Sequence, residues 1–575
     1  MRSQWTTWRE RIVACLITLA PDADRAELDG ALTVATPPSS DKGDIAFPMF
    51  PYARLLRRAP AQIAAQVAES IESDGGRVVA DGPYVNVFLE RAQLAAQVVQ
   101  AALSAGAEWG DTGRLNGTRV MIEFSGPNTN KPLHLGHLRN DSVGESVARL
   151  LAAAGAAVYK VNIVNDRGIH ICRSMLAYQK FGNGETPESS GKKSDHFVGD
   201  YYVRYAQWER EQPDAAEQAQ AMLRSWEDGD PETIELWKTM NGWATSGIQE
   251  TYRRTGIAFD RYYYESQTYK LGSAIVLEGL ERGLFYRDEQ GTVWCDLTDV
   301  DLDKKVLLRG DGTALYLTQD LGTAMQRYED WPFDRMIYVV GSEQRYHFKV
   351  LFEVLGRLGA PFAGHLEHLS YGMVNLTDGR MKSREGTVVD ADDLIDRLAA
   401  LAREEIVAKE RETALTDVDA TSEAIALGAL HYYLLQNNPV KDMVFDPAES
   451  LAFNGNTGPY LQYLGARVSS MLRKQAAPEQ VGAAPIETEE EWLLVRRLAD
   501  YPEAVADAAE SSNPAALCSY LYESARVFSR FYHDYPIAVA DDAAQREFRL
   551  ALSKAVMNMV RHGLTLLNIP FLEAM

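Results

Sequence analysis

The order of strand and helix signals between residues 118 and 164 constrains this chain more than any other feature. Residues 118–124 (TRVMIEF) are β-branched and apolar, as a buried strand is. A turn rich in Gly, Pro and Asn follows, then an Ala- and Leu-rich helix through Leu151. Gly155 closes that stretch, and residues 158–164 form a second apolar strand. Two strands joined through a helix run parallel, so the chain must build a parallel sheet covered by helices. Residues 335–340 and 369–374 read as later strands of the same sheet. Between them and the first unit lies a polar, Trp- and Tyr-rich segment, about 175–260. Its residues 182–194 are rich in turn formers and read as an insertion.

The flanks follow other patterns. Residues 61–71 and 92–103 are helix-like and bracket a strand-like 84–88, after which Gly106, Gly110 and Gly113 mark a linker. Beyond Ala424 strand signals nearly vanish: 425–436, 460–474, 490–510, 514–532 and 543–567 all carry helical apolar spacing. The acidic cluster at 487–491 is predicted to be a solvated surface loop of that bundle. The predicted fold is a multidomain α/β chain: a small α+β domain over 1–113, a Rossmann-like parallel-sheet domain over 114–424, and an all-α bundle over 425–575. A length of 575 residues accommodates this.

Composition narrows the class. With 46% hydrophobic and 24% charged residues, the chain is neither disordered, collagen-like nor a disulfide scaffold. Cys15, Cys172, Cys295 and Cys518 are scattered, without zinc-type spacing, which fits a reducing cytoplasm. No apolar run reaches the ~20 residues that cross a bilayer, so no membrane association is expected. Arg2, Arg9 and Arg11 precede a short apolar run, as in a signal peptide. However, Trp5, Trp8, Ile12, Leu16 and Leu19 recur at helical spacing and Pro21-Asp22 offers no cleavage site, so an amphipathic first helix is predicted. The net charge of −23 argues, taken alone, against a nucleic-acid partner.

Two segments argue the other way. His134-Leu135-Gly136-His137 falls between the first strand and its helix, and a helix N-terminus at the carboxyl end of a parallel strand is an anion site. Gly136 permits close approach of a phosphate, and two histidines three apart can donate hydrogen bonds to a triphosphate. Asn128, Asn130 and Lys131 add donors upstream. HxxH lacks the HExxH arrangement and a third ligand, so no metal site is predicted. About 245 residues on, Gly379-Arg380-Met381-Lys382-Ser383-Arg384-Glu385-Gly386 places three cations in five residues between glycines, a loop able to close over a polyphosphate. Alone, the first is equally a polar strand–helix turn and the second a solvated basic loop.

Together, in this order, the two resemble the signatures of class I aminoacyl-tRNA synthetases. Glu123-Phe124-Ser125-Gly126-Pro127-Asn128, the stretch from Lys131 to Arg139, Tyr316-Leu317-Thr318-Gln319-Asp320, Val340-Gly341-Ser342-Glu343-Gln344 and the Asn456–Tyr463 segment (NTGPYLQY) sharpen the resemblance to arginyl-tRNA synthetases. It covers essentially the whole chain, including Gly43-Asp44 in an N-terminal domain of the kind that family uses against the tRNA elbow. The resemblance implies arginine--tRNA ligase activity, with arginine, ATP and an arginine-accepting tRNA as substrates, Mg²⁺ accompanying ATP, no zinc, and a cytoplasmic monomer. It makes Asp320 the guanidinium acceptor, with Glu123 and Tyr316 beside it, and assigns Asn128 and Gln344 to the α-amino and carboxylate groups. Carboxylates suit a planar cation that never loses its charge. His134, Gly136, His137, Arg380, Met381, Lys382 and Ser383 would contact ATP, with Lys131, Lys382 and Arg384 on its β- and γ-phosphates. Tyr460, Arg467, Tyr532 and Met575 would meet the anticodon loop.

Two departures stand out. His170 occupies a position where many members carry Gln, and the usual Lys-Met-Ser pattern is Arg380-Met381-Lys382, with Ser383 where the second lysine belongs. Lys131 and Lys382 are therefore expected to share phosphate neutralisation. A catalytically lapsed tRNA-binding regulator, or a synthetase for another cationic amino acid such as lysine, remain alternatives.

Overall fold

The central sheet has five strands in the order Leu366–Tyr371, Arg335–Gly341, Arg119–Glu123, Ala157–Val164, Arg261–Tyr264. All four pairings are parallel. The chain runs outward from Arg119–Glu123 in one direction, then returns to continue on its other side. The carboxyl ends of Arg119–Glu123 and Arg335–Gly341 therefore flank the point where strand order reverses, where open α/β sheets bind ligands. Val120, Met121, Ile122, Met336, Ile337 and Val339 are buried, as in a sheet covered by helices on both faces. The computed structural model describes all residues other than Met1, Asp22, Thr36, Glu72, Ser73, 377–388 and 412–414.

The described residues form two compact units: 110–467 with 503–522 and 561–575, and 1–109 with 468–502 and 523–560. The first holds the sheet. Its 175–260 segment is helical, with Ser194–Glu211, Ala215–Glu227 and Pro231–Thr255 packing on Ile169–Phe181 around Phe197, Tyr201, Tyr205 and Trp208. The turn-rich 182–194 stretch contains one short helix, Pro187–Ser190.

The predicted strand at 369–374 is two strands. Leu366–Tyr371 stays in the central sheet, while Val374–Leu376 pairs with Met443–Phe445. Gly372 separates them, lying so close to another segment that a Cβ there would sit 2.4 Å from the Lys441 carbonyl carbon. Its N–H donates to the Pro439 carbonyl at 2.8 Å. Apolar continuity in sequence cannot reveal such a change of partner.

Helix Tyr316–Asp330, which carries Tyr316 and Asp320, crosses helix Leu271–Glu281 at two glycines. A Cβ on Gly272 would lie 1.7 Å from the Thr318 carbonyl oxygen, and one on Gly322 would lie 2.4 Å from the Gly272 nitrogen. Backbone thus meets backbone directly beneath Asp320.

In the second unit, helix Arg2–Leu19 buries Trp8, Ile12, Val13 and Leu16, as its spacing predicts. Strands Ile45–Pro48, Gly76–Asp81 and Tyr84–Leu89 form an antiparallel sheet. Asp44 is interior: its carboxylate accepts from the Leu89 N–H (2.9 Å), from Arg91 (2.8 Å) and from the Trp492 indole (2.9 Å). In the acidic cluster at 487–491, Glu487 and Glu489 are exposed as expected of a surface, but Glu491 departs from that expectation. Glu491 is fully buried and accepts from Arg549 Nε (2.7 Å) and Gln545 Nε2 (2.8 Å), and from the backbone N–H of Glu487 and Thr488. An arginine found 58 residues on makes the interior tolerable to that carboxylate.

Candidate active site

A cavity of about 950 Å³ opens where the strand order reverses, lined by Glu123–Gly126 from one strand end and 339–341 from the other. Its size falls within the range of about 300–1,000 Å³ usual for small-molecule sites. Lys131, His134, Gly136, His137, Tyr316, Asp320 and Gln344 all line it, so the structure gathers most of the residues singled out from sequence. Asn128 forms an isolated backbone bridge with Asn165 and is not among the described lining residues. Arg380, Met381, Lys382, Ser383 and Arg384 lie outside the described residues.

The two histidines do structural work with one nitrogen each. His134 caps helix Leu135–Ala153: its Nδ1 accepts the Gly136 N–H at 3.1 Å, while the His134 N–H donates to His137 Nδ1 at 3.2 Å. Their ring centroids are 3.9 Å apart. Burial, reinforced by the Lys131 charge, pushes His134 down to about 4. Burial and the neighbouring His134 push His137 well below the ordinary imidazole range. Both rings are therefore neutral at pH 7. With each Nδ1 accepting, the hydrogen-bond network assigns each proton to Nε2. The strand–helix turn thus offers two neutral Nε2–H donors at a helix N-terminus, and Lys131, itself pushed down by burial, adds an ammonium.

Behind the strand ends, Ser125 adopts a left-handed backbone (φ 79°), unusual for a side-chain-bearing residue. A buried network over-determines it. The Ser125 N–H donates to Asn140 Oδ1 (2.6 Å), Ser125 Oγ pairs with the Tyr252 hydroxyl (2.6 Å), and Asn162 binds both that hydroxyl (3.0 Å) and the Gly126 N–H (3.1 Å). Sequence reasoning missed Asn140, Asn162 and Tyr252. Only Asn140 carried a signal, one position past the quoted histidine stretch.

The same cavity is lined by two of the predicted carboxylates. Glu123 is buried, pairs with Arg327 and also lines the cavity, and burial pushes its carboxyl above the usual range despite that partner. Asp320 is 41% exposed and faces the cavity, with His347 Nε2 at 2.6 Å from its Oδ2. Tyr316, one helical turn earlier, is 78% exposed. Arg327 and His347 were not singled out from sequence. Asp166 accepts from the Ser266 N–H (2.8 Å) and hydroxyl (2.6 Å), while His170 meets the Tyr202 hydroxyl at 3.2 Å.

The cavity's surroundings are tied together across the chain. The Leu135 N–H donates to the Val389 carbonyl and the Ala391 N–H to Leu133, so the histidine segment is bridged to residues beyond 388. Arg139 has no exposed surface and donates to the carbonyls of Met373, Pro439 and Lys441.

Residues 98–447 match the profile of tRNA synthetases class I (R), catalytic domain. Residues 461–575 match the DALR anticodon binding domain and 6–89 the arginyl tRNA synthetase N terminal domain. An arginine--tRNA ligase of Treponema denticola is 52% identical over 585 residues, spanning 99% of each chain. The chain belongs to the arginyl-tRNA synthetase family. A ligase of that name from Bacteroides thetaiotaomicron is 44% identical over 92% of this chain and 93% of its own. The Thermus thermophilus arginyl-tRNA synthetase structure superposes with a TM-score of 0.78 at 26% identity, covering 99% of this chain and 100% of its own.

The arginyl-tRNA synthetase anticodon candidates fall in both units. Tyr460 stands 6.0 Å from Tyr522 in the larger, where Arg467 and Arg411 both lie over the Tyr463 ring and Arg411 donates to the Met575 carbonyl (3.2 Å). Tyr532 lies in the smaller unit, 6.1 Å from Phe528. Asp195, His196 and Asp392 bring three possible metal-ligand atoms together, but Lys193 bonds both aspartates (3.0 and 2.8 Å) and Arg254 bonds Asp392 (3.1 Å). Those cations already answer the carboxylates, and the cluster reads as an ion-pair network. Among the described residues no helix is long and apolar enough to cross a membrane.

Proposed function

We propose that this chain activates arginine with ATP to arginyl-adenylate and pyrophosphate, then transfers arginyl to the 3′-terminal adenosine of an arginine-accepting tRNA. The observation that carries this reading is one cavity lined by neutral N–H donors, an ammonium and an open carboxylate. In the first step the arginine carboxylate attacks the ATP α-phosphorus in line and pyrophosphate leaves. Phosphoryl transfer of this kind needs positioning and charge stabilisation rather than covalent help. His134 and His137 donate from Nε2 to the oxygens on which charge grows, and Lys131 meets the departing phosphates. Lys382 and Arg384 belong to the same reading through the family pattern. Asp320 takes the guanidinium and Gln344 the α-amino and carboxylate end, with Tyr316 beside them.

The described walls next to the histidines offer nitrogen, whereas Mg²⁺ takes oxygen ligands. We assign it no protein ligand, and it would arrive on the nucleotide's own phosphates. In the second step the 2′-hydroxyl of the terminal adenosine attacks the carbonyl carbon of the adenylate, forming the ester, losing its proton and releasing AMP. In this reading residues 425–575 read the anticodon through Tyr460, Arg467, Tyr532 and Met575, residues 1–113 meet the tRNA elbow, and the chain works as a cytoplasmic monomer.

Charging of total tRNA by the purified chain with ATP and Mg²⁺, one labelled amino acid at a time, tests this. Arginine alone should be incorporated. Lysine in its place would refute the guanidinium assignment, and tRNA binding without charging would point to a lapsed regulator.

A further inference from the structure

Asp320 belongs to helix Tyr316–Asp330, one turn from its start, and its side chain is 41% exposed. An aspartate so placed samples several rotamers, whereas a guanidinium needs the carboxylate plane held still to meet it with two N–H groups. Among the described residues, the one hydrogen bond to its carboxylate comes from His347 Nε2, 2.6 Å from Oδ2. His347 is itself 27% exposed and sits on helix Arg345–Leu358, directly after the turn Ser342–Gln344. The segment that carries Gln344 into the cavity therefore also reaches across to Asp320. Both His347 and Asp320 line that cavity.

We infer that His347 is a positioning residue for the amino-acid side chain: it fixes Asp320 through Oδ2 and leaves Oδ1 presented to the incoming guanidinium. The inference rests on the arginine reading given above. A carboxylate oxygen accepts two hydrogen bonds, so His347 stays in place when the substrate arrives. A carboxylate held in one orientation also sharpens selection. Citrulline matches arginine in shape but replaces one NH2 group by a carbonyl oxygen and carries no charge, and a carboxylate held in one orientation has fewer ways to turn away from that oxygen. The same logic of a held carboxylate governs supporting residues around designed and metal sites.

The test uses full-length His347→Ala and His347→Gln in the charging assay, with KM measured separately for arginine and ATP. The Ala variant should raise the arginine KM tenfold or more, leave the ATP KM within twofold, and narrow the arginine-over-citrulline preference in kcat/KM. Gln keeps an N–H donor and should restore most of both. An arginine KM within twofold of wild type, or a lower one, overturns the inference, the latter because it would make His347 a competitor for Asp320. A parallel rise in both KM values in Ala and Gln alike, with a lowered Tm, also overturns it by assigning His347 to the fold alone. If the wild-type chain charges no arginine, both this inference and the functional reading fall. If it charges arginine and the variants behave as wild type, only the role of His347 does.

Discussion

Lys131 is a lysine pushed down by burial near two neutral histidines, and it is the one Lys or Arg among the described residues lining the cavity. Replacing it by Ala should slow arginine activation about tenfold to a hundredfold, the scale on which one well-placed electrostatic group acts. Pyrophosphate exchange reads this directly, and a rate within a factor of about two of wild type would remove Lys131 from the phosphate site. Asp141 poses the opposite case. It is buried on the helix after the histidines, with only Ser125 near enough to favour its charged form and Glu145 opposing it. Burial pushes it up to about 8. The unfolded chain gives up that proton near pH 4 and the folded chain near 8, so Asp141 lowers stability progressively as pH rises through that window. Asp141→Asn should flatten the fall, and its Tm advantage over wild type should grow between pH 5 and 8. A constant Tm difference across that range would mean that Asp141 finds a partner in solution.

Helices place these residues, and the crossing of Leu271–Glu281 with Tyr316–Asp330 is the least forgiving contact beneath the site. The Gly272 position faces a carbonyl oxygen of the backbone that carries Asp320, so no side chain can swing away to make room. Gly272→Ala should cost about 1–3 kcal/mol in stability by overpacking. It should also raise the arginine KM more than the ATP KM, because it displaces the Asp320 helix and not the histidine turn. Equal effects on both substrates would show that the strain spreads through the whole cavity. At this scale the sequence was only partly legible. Periodicity located the first helix, those near 61–71 and 92–103, the helix after the histidine turn and the C-terminal bundle, because it reports burial along one segment, but it left Ile169–Phe181, the helices of 194–255, Leu271–Glu281, Arg345–Leu358 and Ala391–Ala408 unread. It could not say that Gly272 and Gly322 bring two helices into backbone contact, that Gly372 switches a strand to a new partner, or that Glu491 faces inward to meet Arg549. Each of these is a relation between distant segments, and local pattern carries no term for it.

Across the molecule, the charge of −23 must coexist with a polyanionic partner. That requires tRNA to be met through a confined set of phosphates and by shape, and such contacts release counterions. Affinity for tRNA should therefore fall at least about tenfold between roughly 50 and 200 mM salt. A titration that stays flat would exclude phosphate contacts as a main source of binding. The histidine turn, Asp320 and Gln344 could be read from sequence because each belongs to a short ordered motif. Arg327 and His347, which answer the carboxylates of Glu123 and Asp320, could not, because only the folded sheet brings them near. The same long reach sets a timetable. Arg139 takes carbonyls from residues 300 and 302 positions later, and the segment 133–135 is bridged to 389–391. During synthesis the histidine turn leaves the ribosome long before either support exists. The site is finished only after residue 441 emerges, so shorter nascent chains carry the motif without the pocket.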